Sequence, residues 1–430
     1  MKLMKTIKVQ ICLVLALALT ACAGAEGNNN DTKNQATEGA VTASSVTVRE
    51  VSDVDGPALK DLYSEYFMMG AAINGSDKET AAIHHEGMSE VLKKHYNSTS
   101  LSNLMKPCYL LDEKACAKAA KNSKEEVTDV EVNFDSCKES LDFCKENGIQ
   151  MRGHTLVWHN QTPEWFFKKG YNEDKGYVSK EIMAKRMENY IRQVMEYCQK
   201  NYPGVVYCWD VVNESVDDVG SGDSDSKDGW ACRTKFNGGD NYWYAVMGMD
   251  YVYKAFGYAR KYAADGVKLF YNDYNVFMPV KRDNIITLVK KLKEDNLIDG
   301  IGLQPTVNLY YPSELKGESE DSFETCLNEY AKLGLEIQIT ELSFMIDEQS
   351  DVRNEDTLKL QADRYQEMFE LLKKMDTNGG GPCNITSVTV FGICDDYPLY
   401  DDLVQCLYLW DKDCKAKEAF YRIREVGERK

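Results

Sequence analysis

Short apolar runs alternate with amphipathic helical patterns from about residue 58 to near the end of the chain. The apolar runs are continuous rather than alternating with polar residues, which is typical of parallel strands buried on both faces. Seven of them predict β-strands, at Phe67–Asn74, Gln150–Val157, Val205–Val212, Lys268–Asp273, Gly300–Gln304, Glu336–Glu341 and Ser387–Ile393. A weaker strand is expected near His95–Ser98.

The segments between these runs have helical periodicity. In one of them, apolar residues recur at i, i+4, i+7 and i+11, as Met187, Ile191, Val194 and Cys198, and this spacing places them on one face of a helix. About eight strand–helix units follow one another without a Gly/Pro-rich linker. This order favours a (β/α)8 TIM barrel over a doubly wound sheet. We therefore predict an α/β protein with a single barrel domain over residues 51–430.

The N-terminal segment has the pattern of an export signal. Residues 1–21 begin with three lysines and continue with the apolar run Ile11–Leu19, which is too short to span a bilayer comfortably. The run ends in Leu19-Thr20-Ala21-Cys22, which resembles a bacterial lipobox, and Cys22 would then be acylated. An ordinary signal peptide with an incidental cysteine is the alternative. The position of Cys22 at the expected cleavage point favours a lipoprotein.

Residues 22–50 are small and polar and have no periodicity, so they predict a flexible tether. With the signal, they predict an exported protein that is lipid-anchored to the bacterial membrane or cell surface. The membrane is thus one expected partner, through the acylated Cys22.

Charge and composition narrow the function classes. The 430 residues include 69 acidic and 51 basic side chains, a formal net charge of −18. Removing residues 1–21, with their three lysines and no other charge, would give −21. Because phosphate binding requires a basic surface, this balance argues against a nucleic-acid partner. With five histidines and no C-x-x-C or H-E-x-x-H motif, we expect no metal and no other cofactor.

Two further segments carry structural expectations. Residues 216–241 are rich in Asp, Ser and Gly and lack EF-hand spacing, which favours a solvated insertion over a calcium site. Cys137 and Cys144 lie seven residues apart in an apparent helix ending near Gly148. Their separation along the axis would be roughly 10 Å, too far for a disulfide. We expect them to face the core or to pair elsewhere.

Two predicted barrel strands end in a glutamate, one at Asn213-Glu214 and the other at Glu341. Catalytic groups of a (β/α)8 barrel lie at the carboxyl ends of its strands. One glutamate there is weak evidence, because glutamate is common on surfaces, but two are much stronger. Glycoside hydrolysis is the chemistry that needs such a pair. One carboxylic acid protonates the leaving oxygen while the other carboxylate attacks or stabilises the anomeric carbon.

The chain also resembles the family-10 glycoside hydrolases, the endo-β-1,4-xylanase family, from about Leu59 to Arg424. The resemblance rests on eight motifs in the family's order: GAAIN (Gly70–Asn74), NLMKP (Asn103–Pro107), RGHTLVWHNQTPEW (Arg152–Trp165), WDVVNE (Trp209–Glu214), LFYNDYN (Leu269–Asn275), DGIGLQ (Asp299–Gln304), ITE (Ile339–Glu341) and FGICD (Phe391–Asp395). It implies a (β/α)8 barrel that hydrolyses xylan or xylo-oligosaccharides with retention of anomeric configuration and without a metal.

The resemblance also implies residue roles. Glu214 would be the acid/base and Glu341 the nucleophile, about 5 Å apart as in other retaining enzymes. Asn213 would bind the sugar 2-hydroxyl. Further residues match positions that line the site around the cleaved sugar: Asn103, Lys106, His154, Trp158, Gln304 and Phe391, the last in place of a family tryptophan.

Other interpretations stay open at this point. Outside its motif, His154 would be read as a hydrogen-bonded core histidine and Trp158 as barrel packing, and Trp209 and Asp210 are as easily structural as functional. The substrate could be another β-1,4 glycan, such as mixed-linkage glucan. A surface glycan-binding lipoprotein with an inactive barrel is the rival outside enzymes, against which the presence of both glutamates argues.

Some positions depart from the family's pattern. Ser102 replaces a sugar-binding glutamate of the family, and Leu399 corresponds to a family tryptophan. We therefore expect weaker binding at the non-reducing-side subsites, which unusually tight binding of xylo-oligosaccharides on that side would refute. Thr306 and Ser343 replace a His and an Asp that orient the nucleophile in the family. Because both are exchanged together, no charge is orphaned, and another way of orienting Glu341 is expected.

Overall fold

The computed structural model describes residues 56–73, 82–121, 123–218, 223–346, 354–395 and 407–429. The predictions on residues 1–50, including the signal, the acylated Cys22 and the tether, lie outside the described residues. So does Leu399.

Eight parallel strands close into a barrel, which confirms the predicted α/β fold. They are β1 Met68–Ile73, β2 Ser98–Leu101, β3 Gln150–Gly153, β4 Val206–Asn213, β5 Lys268–Tyr274, β6 Gly300–Gln304, β7 Glu336–Met345 and β8 Asn384–Val390. Each strand pairs with the next in the chain, and β8 pairs with β1 to complete the ring. The carboxyl ends of all eight strands therefore meet at one end of the barrel.

Four strand predictions differ from the structure by more than one residue at an end. One of them, Glu336–Glu341, stops four residues before β7 ends at Met345. The weak strand expected at His95–Ser98 is wrong in position, because His95 ends a helix and β2 begins at Ser98. The predicted Gln150–Val157 is interrupted, since β3 ends at Gly153 and a separate short strand, Val157–Trp158, pairs with β4. The prediction for β8 lies three residues too far along the chain at each end.

Helices pack around the barrel. The described ranges contain α1 Leu59–Leu62, α2 Glu86–His95, α3 Pro107–Leu110, α4 Glu113–Lys121, α5 Lys138–Asn147, α6 Lys180–Asn201, α7 Tyr242–Met247, α8 Asp250–Tyr262, α9 Pro279–Glu294, α10 Phe323–Ala331, α11 Glu355–Met375 and α12 Glu418–Glu428. None of these helices is long and apolar enough to cross a membrane.

The amphipathic faces fall where the periodicity predicts them. Helix α6 begins at Ser179, whose hydroxyl accepts a hydrogen bond from the backbone N–H of Ile182. All four residues of its predicted apolar stripe are buried. Helix α5 ends at Gly148, which has a left-handed φ of 65°. Cys137 and Cys144 are both buried, as expected for core-facing residues.

The barrel interior holds a polar cluster beneath the site. The Arg152 guanidinium makes two contacts with the Asp210 carboxylate and donates a third hydrogen bond, of 2.6 Å, to Gln338 Oε1. Gly302 of β6 lies against this cluster, where a side chain would collide with Arg152 and Asn272. Glycine is required at this position because the guanidinium occupies the space of a Cβ.

The prediction of a solvated insertion over residues 216–241 is wrong for its second half. Trp230, Cys232 and Arg233 are buried, and the segment forms short two-stranded pairings at Ser224–Asp225 with Cys232–Arg233 and at Lys235–Phe236 with Gly239–Asp240. The few side chains that anchor this segment are not apparent from the sequence, because most of the residues around them are polar.

Candidate active site

Glu214 lies at the carboxyl end of β4, directly after the last strand residue. Its backbone N–H donates to the Asn272 carbonyl at 2.9 Å, and its φ of 57° is left-handed. A non-glycine residue held in this conformation at a strand end is characteristic of a functional site. The side chain is 2 % exposed, so the carboxyl group lies in a largely water-excluded position.

Two other strands supply partners to the Glu214 carboxyl group. The indole N–H of Trp158 donates to its Oε2 at 2.9 Å, and the Gln304 amide donates to its Oε1 at 3.2 Å. Trp158 lies on the short strand beside β4, and Gln304 is the last residue of β6. The predicted site residues on three segments therefore meet at one carboxyl group.

Asn213 is held by amides on one side and has an unused donor on the other. Its Oδ1 accepts from Asn272 Nδ2 at 2.9 Å and from Gln304 Nε2 at 3.2 Å. Its Nδ2 is buried and has no hydrogen-bond partner within the described part of the chain. A buried polar atom without a partner is costly, so this N–H pair is available to a ligand hydroxyl.

Glu341 lies within β7, four residues before the end of that strand. Burial raises the pKa of its carboxyl group, and the negative charge of Glu214 raises this pKa further, while Lys106 opposes both effects. Burial likewise raises the pKa of Glu214, with a further contribution from Asp273. Repulsion between the two carboxyls acts on both alike, so the pair retains one proton at a pH where isolated glutamates have lost theirs.

Lys106 is the cation whose charge acts on both Glu341 and Glu214. Its ammonium group donates to Asn103 Oδ1 at 2.9 Å and lies 4.5 Å from the centre of the Trp158 ring. Burial lowers the pKa of Lys106, whereas the charges of Glu341 and Glu214 raise it. The structure thus groups three sequence-predicted residues, Asn103, Lys106 and Trp158, and the charge of Lys106 acts on both carboxyl groups.

His154 is fixed by the polar cluster of the barrel interior. Its Nδ1 lies 2.9 Å from Asp210 Oδ2, and the ring is 7 % exposed. Burial opposes the ionisation of Asp210, but the charge of Arg152 and the contacts from His154 and Arg152 together outweigh it and hold the pKa of this carboxyl below its ordinary value. Burial lowers the pKa of His154. Asp210 therefore has a positioning role, because it connects Arg152 in the barrel interior to the site residue His154.

Phe391 follows β8 and is half-buried. Its backbone N–H donates to the Leu342 carbonyl at 2.9 Å, next to Glu341. The backbone of Phe391 is thus held beside β7 next to Glu341, on the side of the barrel away from β4.

A second charged cluster near Glu214 was not anticipated from the sequence. Arg233 Nε donates to the Glu214 carbonyl at 3.3 Å, and its guanidinium also binds Asp218. Lys281, at the start of α9, lies 2.9 Å from Asp273 and 2.8 Å from Asp218. These two cations lower the pKa of Glu214, against the effects of burial and Asp273. The only advance signal was Asp273 itself, at the end of a barrel strand.

Three of the positions that depart from the family's pattern, 102, 306 and 343, lie within the described residues. Residues 306 and 343 face each other across the pairing of a short strand, Thr306–Asn308, with the extended end of β7. The two exchanges expected to be coupled thus occupy paired positions on neighbouring strands, and Ser343 lies two residues after Glu341. The Ser102 hydroxyl is buried and donates to the Ile73 carbonyl at 3.4 Å.

The described residues contain no group of three or more His, Cys, Asp or Glu side chains that could hold a metal ion.

The sequence model of glycosyl hydrolase family 10 matches residues 58–426. The chain belongs to glycosyl hydrolase family 10. The family assignment accounts for both the eight sequence motifs and the closed barrel.

Individual relatives of this family 10 hydrolase agree with the assignment. A Caldicellulosiruptor saccharolyticus protein is 58 % identical over 323 residues, covering 75 % of this chain and 97 % of its own. Endo-1,4-beta-xylanase B of Butyrivibrio fibrisolvens is 36 % identical over 382 residues, and the match covers 86 % of this chain and 53 % of that protein.

Solved structures have the same fold. The xylohexaose complex of the CBM22-1 and GH10 modules of a Clostridium thermocellum endo-1,4-beta-D-xylanase superimposes with a TM-score of 0.73 at 29 % identity, covering 87 % of this chain and 68 % of that one. An endo-1,4-beta-xylanase from Caldicellulosiruptor owensensis gives a TM-score of 0.66 at 34 % identity, covering 85 % of this chain and 99 % of the other.

Proposed function

We propose that this family 10 hydrolase is a retaining endo-1,4-β-xylanase that cleaves internal bonds of xylan by double displacement. The observation that carries the proposal is a pair of mutually repelling carboxyl groups, the buried Glu214 directly after β4 and the half-buried Glu341 within β7. The names of the Butyrivibrio and Caldicellulosiruptor owensensis relatives support xylan as the substrate class.

In the first step, the Glu341 carboxylate attacks the anomeric carbon and forms a covalent glycosyl ester. The bond to the leaving sugar breaks, and its oxygen takes the proton of Glu214. This assignment places the single proton of the pair on Glu214 and the charge on Glu341, next to the Lys106 ammonium group. The inter-sugar oxygen is a poor leaving group as an alkoxide, so protonation lowers the barrier.

In the second step, water hydrolyses the ester. Once Glu341 is esterified, its charge is gone and the pKa of Glu214 falls. Glu214 can then accept the proton of the attacking water, whose oxygen bonds to the anomeric carbon as the Glu341 carboxylate departs. Two inversions at one carbon give net retention.

Asn213 has the geometry to bind the 2-hydroxyl of the sugar undergoing cleavage through its unpartnered Nδ2. Such a contact strengthens as charge develops at the neighbouring carbon. We expect Asn213→Ala to lower kcat on xylan by roughly 10²-fold while changing KM much less. Steady-state kinetics would check this, and a loss confined to KM would contradict it.

Lys106 should set the acidic side of the pH profile. A neighbouring positive charge favours the ionised form of Glu341, so its removal raises the pKa of that carboxyl. Because the nucleophile must be ionised, we expect the acid limb of kcat/KM to move to higher pH in Lys106→Met.

Lys281→Met is the matched control for that prediction. It removes a cation that lowers the pKa of Glu214 instead. We expect it to move the alkaline limb to higher pH, because the acid then stays protonated longer. The pH dependence of kcat/KM for both variants would decide, and an unmoved acid limb in Lys106→Met would refute the assignment.

The substrate class is tested by assaying reducing-sugar release from xylan, mixed-linkage glucan and mannan side by side. We expect release from xylan, and Glu341→Ala serves as the control for contaminating activity. Faster hydrolysis of mixed-linkage glucan than of xylan would mean that the enzyme is a β-1,4-glucanase and would overturn the proposed substrate. Binding of xylan without any release would mean a glycan-binding barrel.

We also propose that the protein is exported and anchored to the bacterial membrane through an acylated Cys22. The support is the order of basic, apolar and small residues up to Cys22, followed by a polar tether. Expressed with its signal in a bacterium, the chain should partition into the detergent phase of a cloud-point extraction. Cys22→Ser should move it to the aqueous phase, and equal partitioning of both would contradict the anchor.

A further inference from the structure

Two thiols lie in direct contact at the carboxyl end of β8. Cys394 Sγ is 2.9 Å from Cys414 Sγ, and Cys394 is buried whereas Cys414 is half-buried. This separation is shorter than a contact between non-bonded sulfurs and approaches the bond length of about 2.05 Å in a disulfide.

The backbone around the two thiols is fixed by other interactions. Cys394 forms a parallel bridge with Trp410, and the Asp395 N–H donates to the Trp410 carbonyl at 2.9 Å. The Asp395 carboxylate pairs with Lys417 at 2.6 Å, with both side chains largely buried. These contacts hold the backbone at Cys394 close to residues 410–417. The two sulfurs are therefore brought together by the fold, without a bond between them.

We propose that Cys394 and Cys414 form a disulfide that ties the end of β8 to residues 407–417. Formation breaks two S–H bonds and makes one S–S bond. The two electrons and two protons pass to an external disulfide, small or protein-bound, which is reduced to two thiols by thiol–disulfide exchange. Oxidising compartments outside the cytosol supply such disulfides.

The bond would act near the site but not in it. Cys394 lies three residues after Phe391, so the bond would fix the chain that follows the rim of the active site. A crosslink closing a loop of about twenty residues stabilises a fold chiefly by restricting the unfolded chain. Residues 411–418 are exposed or half-buried, whereas Trp410 before them and Ala419 after them are buried. The crosslink would therefore restrain a stretch that has little apolar burial of its own.

The bond is tested on the full purified chain, incubated with oxidised glutathione and alkylated without reduction. Trypsin and chymotrypsin together release Cys414 in Asp413–Lys415 and Cys394 in Gly392–Tyr400, because the bond before Pro398 resists cleavage, and both peptides are separate from Cys383 and Cys406. We expect a linked pair of these two peptides in the mass spectrum, lost on reduction. Recovery of both peptides in alkylated form, or Cys414 linked to another cysteine, would overturn the proposal.

A thermal measurement tests the consequence. Reduction should lower the melting temperature of the oxidised wild type by a few degrees, and Cys414→Ser should abolish this dependence. Cys108→Ser, which removes another half-buried thiol, should keep it. A reductant-dependent shift of the same size in Cys414→Ser would mean that a different crosslink is responsible and would overturn the assignment.

Discussion

Glu341→Ala should lower kcat/KM by roughly 10⁴-fold or more, on xylan and on activated aryl β-xylobiosides alike. Without this carboxylate no glycosyl ester can form, and the quality of the leaving group then gives no relief. Steady-state assays on both substrates check the result.

Glu336→Ala is the matched control, because Glu336 begins the same strand at the opposite end of the barrel, where it pairs with Lys268 at 3.2 Å. It should leave kcat/KM within about twofold of wild type, in keeping with the small effects of surface substitutions. Loss of activity on xylan but not on the aryl substrate in Glu341→Ala would contradict the nucleophile role.

Folding of Glu341→Ala can be separated from catalysis by its pH dependence. The pKa of Glu341 is raised in the folded protein, so this group costs stability at a pH above its unfolded value and ceases to do so below it. The variant should therefore gain stability relative to wild type at pH 8 and lose that gain near pH 4. Thermal melts at both values distinguish an inactive, folded enzyme from a misfolded one.

Glu214→Ala should have a different signature. Hydrolysis of xylan should fall by roughly 10²- to 10⁴-fold, the usual contribution of a general acid. Activated aryl xylobiosides need no protonation to leave, so formation of the glycosyl-enzyme from them should be largely retained. Hydrolysis of that intermediate lacks its base, and added azide should restore turnover by attacking without proton removal.

Burst kinetics and product analysis check this prediction. We expect a fast release of the aryl group followed by slow turnover, and β-xylobiosyl azide as the product when azide is present. Equal losses on xylan and on the aryl substrate, with no effect of azide, would refute the acid/base role of Glu214.

Much of the barrel could be predicted from the apolar runs, and the exceptions have physical causes. Strand β2 reads Ser-Thr-Ser-Leu, yet all four residues are buried. The Thr99 hydroxyl compensates by donating to the Ala71 carbonyl at 2.7 Å. A pattern that detects apolar side chains misplaces such a strand, because its burial depends on hydrogen bonds to a neighbouring strand.

The candidate site divides in the same way. Glu214, Glu341 and the residues matched through the motifs could be named in advance, since each lies at or near the end of a recognisable strand. The pairing of Arg233 and Lys281 with Asp218 and Asp273 could not, because the two cations come from an insertion and a helix that only the folded chain brings together. Their effect on the pKa of Glu214 is a tertiary property.

The central claim is double displacement at Glu341 with Glu214 as acid/base. Proton NMR of xylohexaose hydrolysis, recorded before mutarotation equilibrates the new reducing ends, tests it most directly. Two inversions predict that the β-anomer of the product appears first and the α-anomer only later. Initial release of the α-anomer would mean a single displacement and would contradict the account.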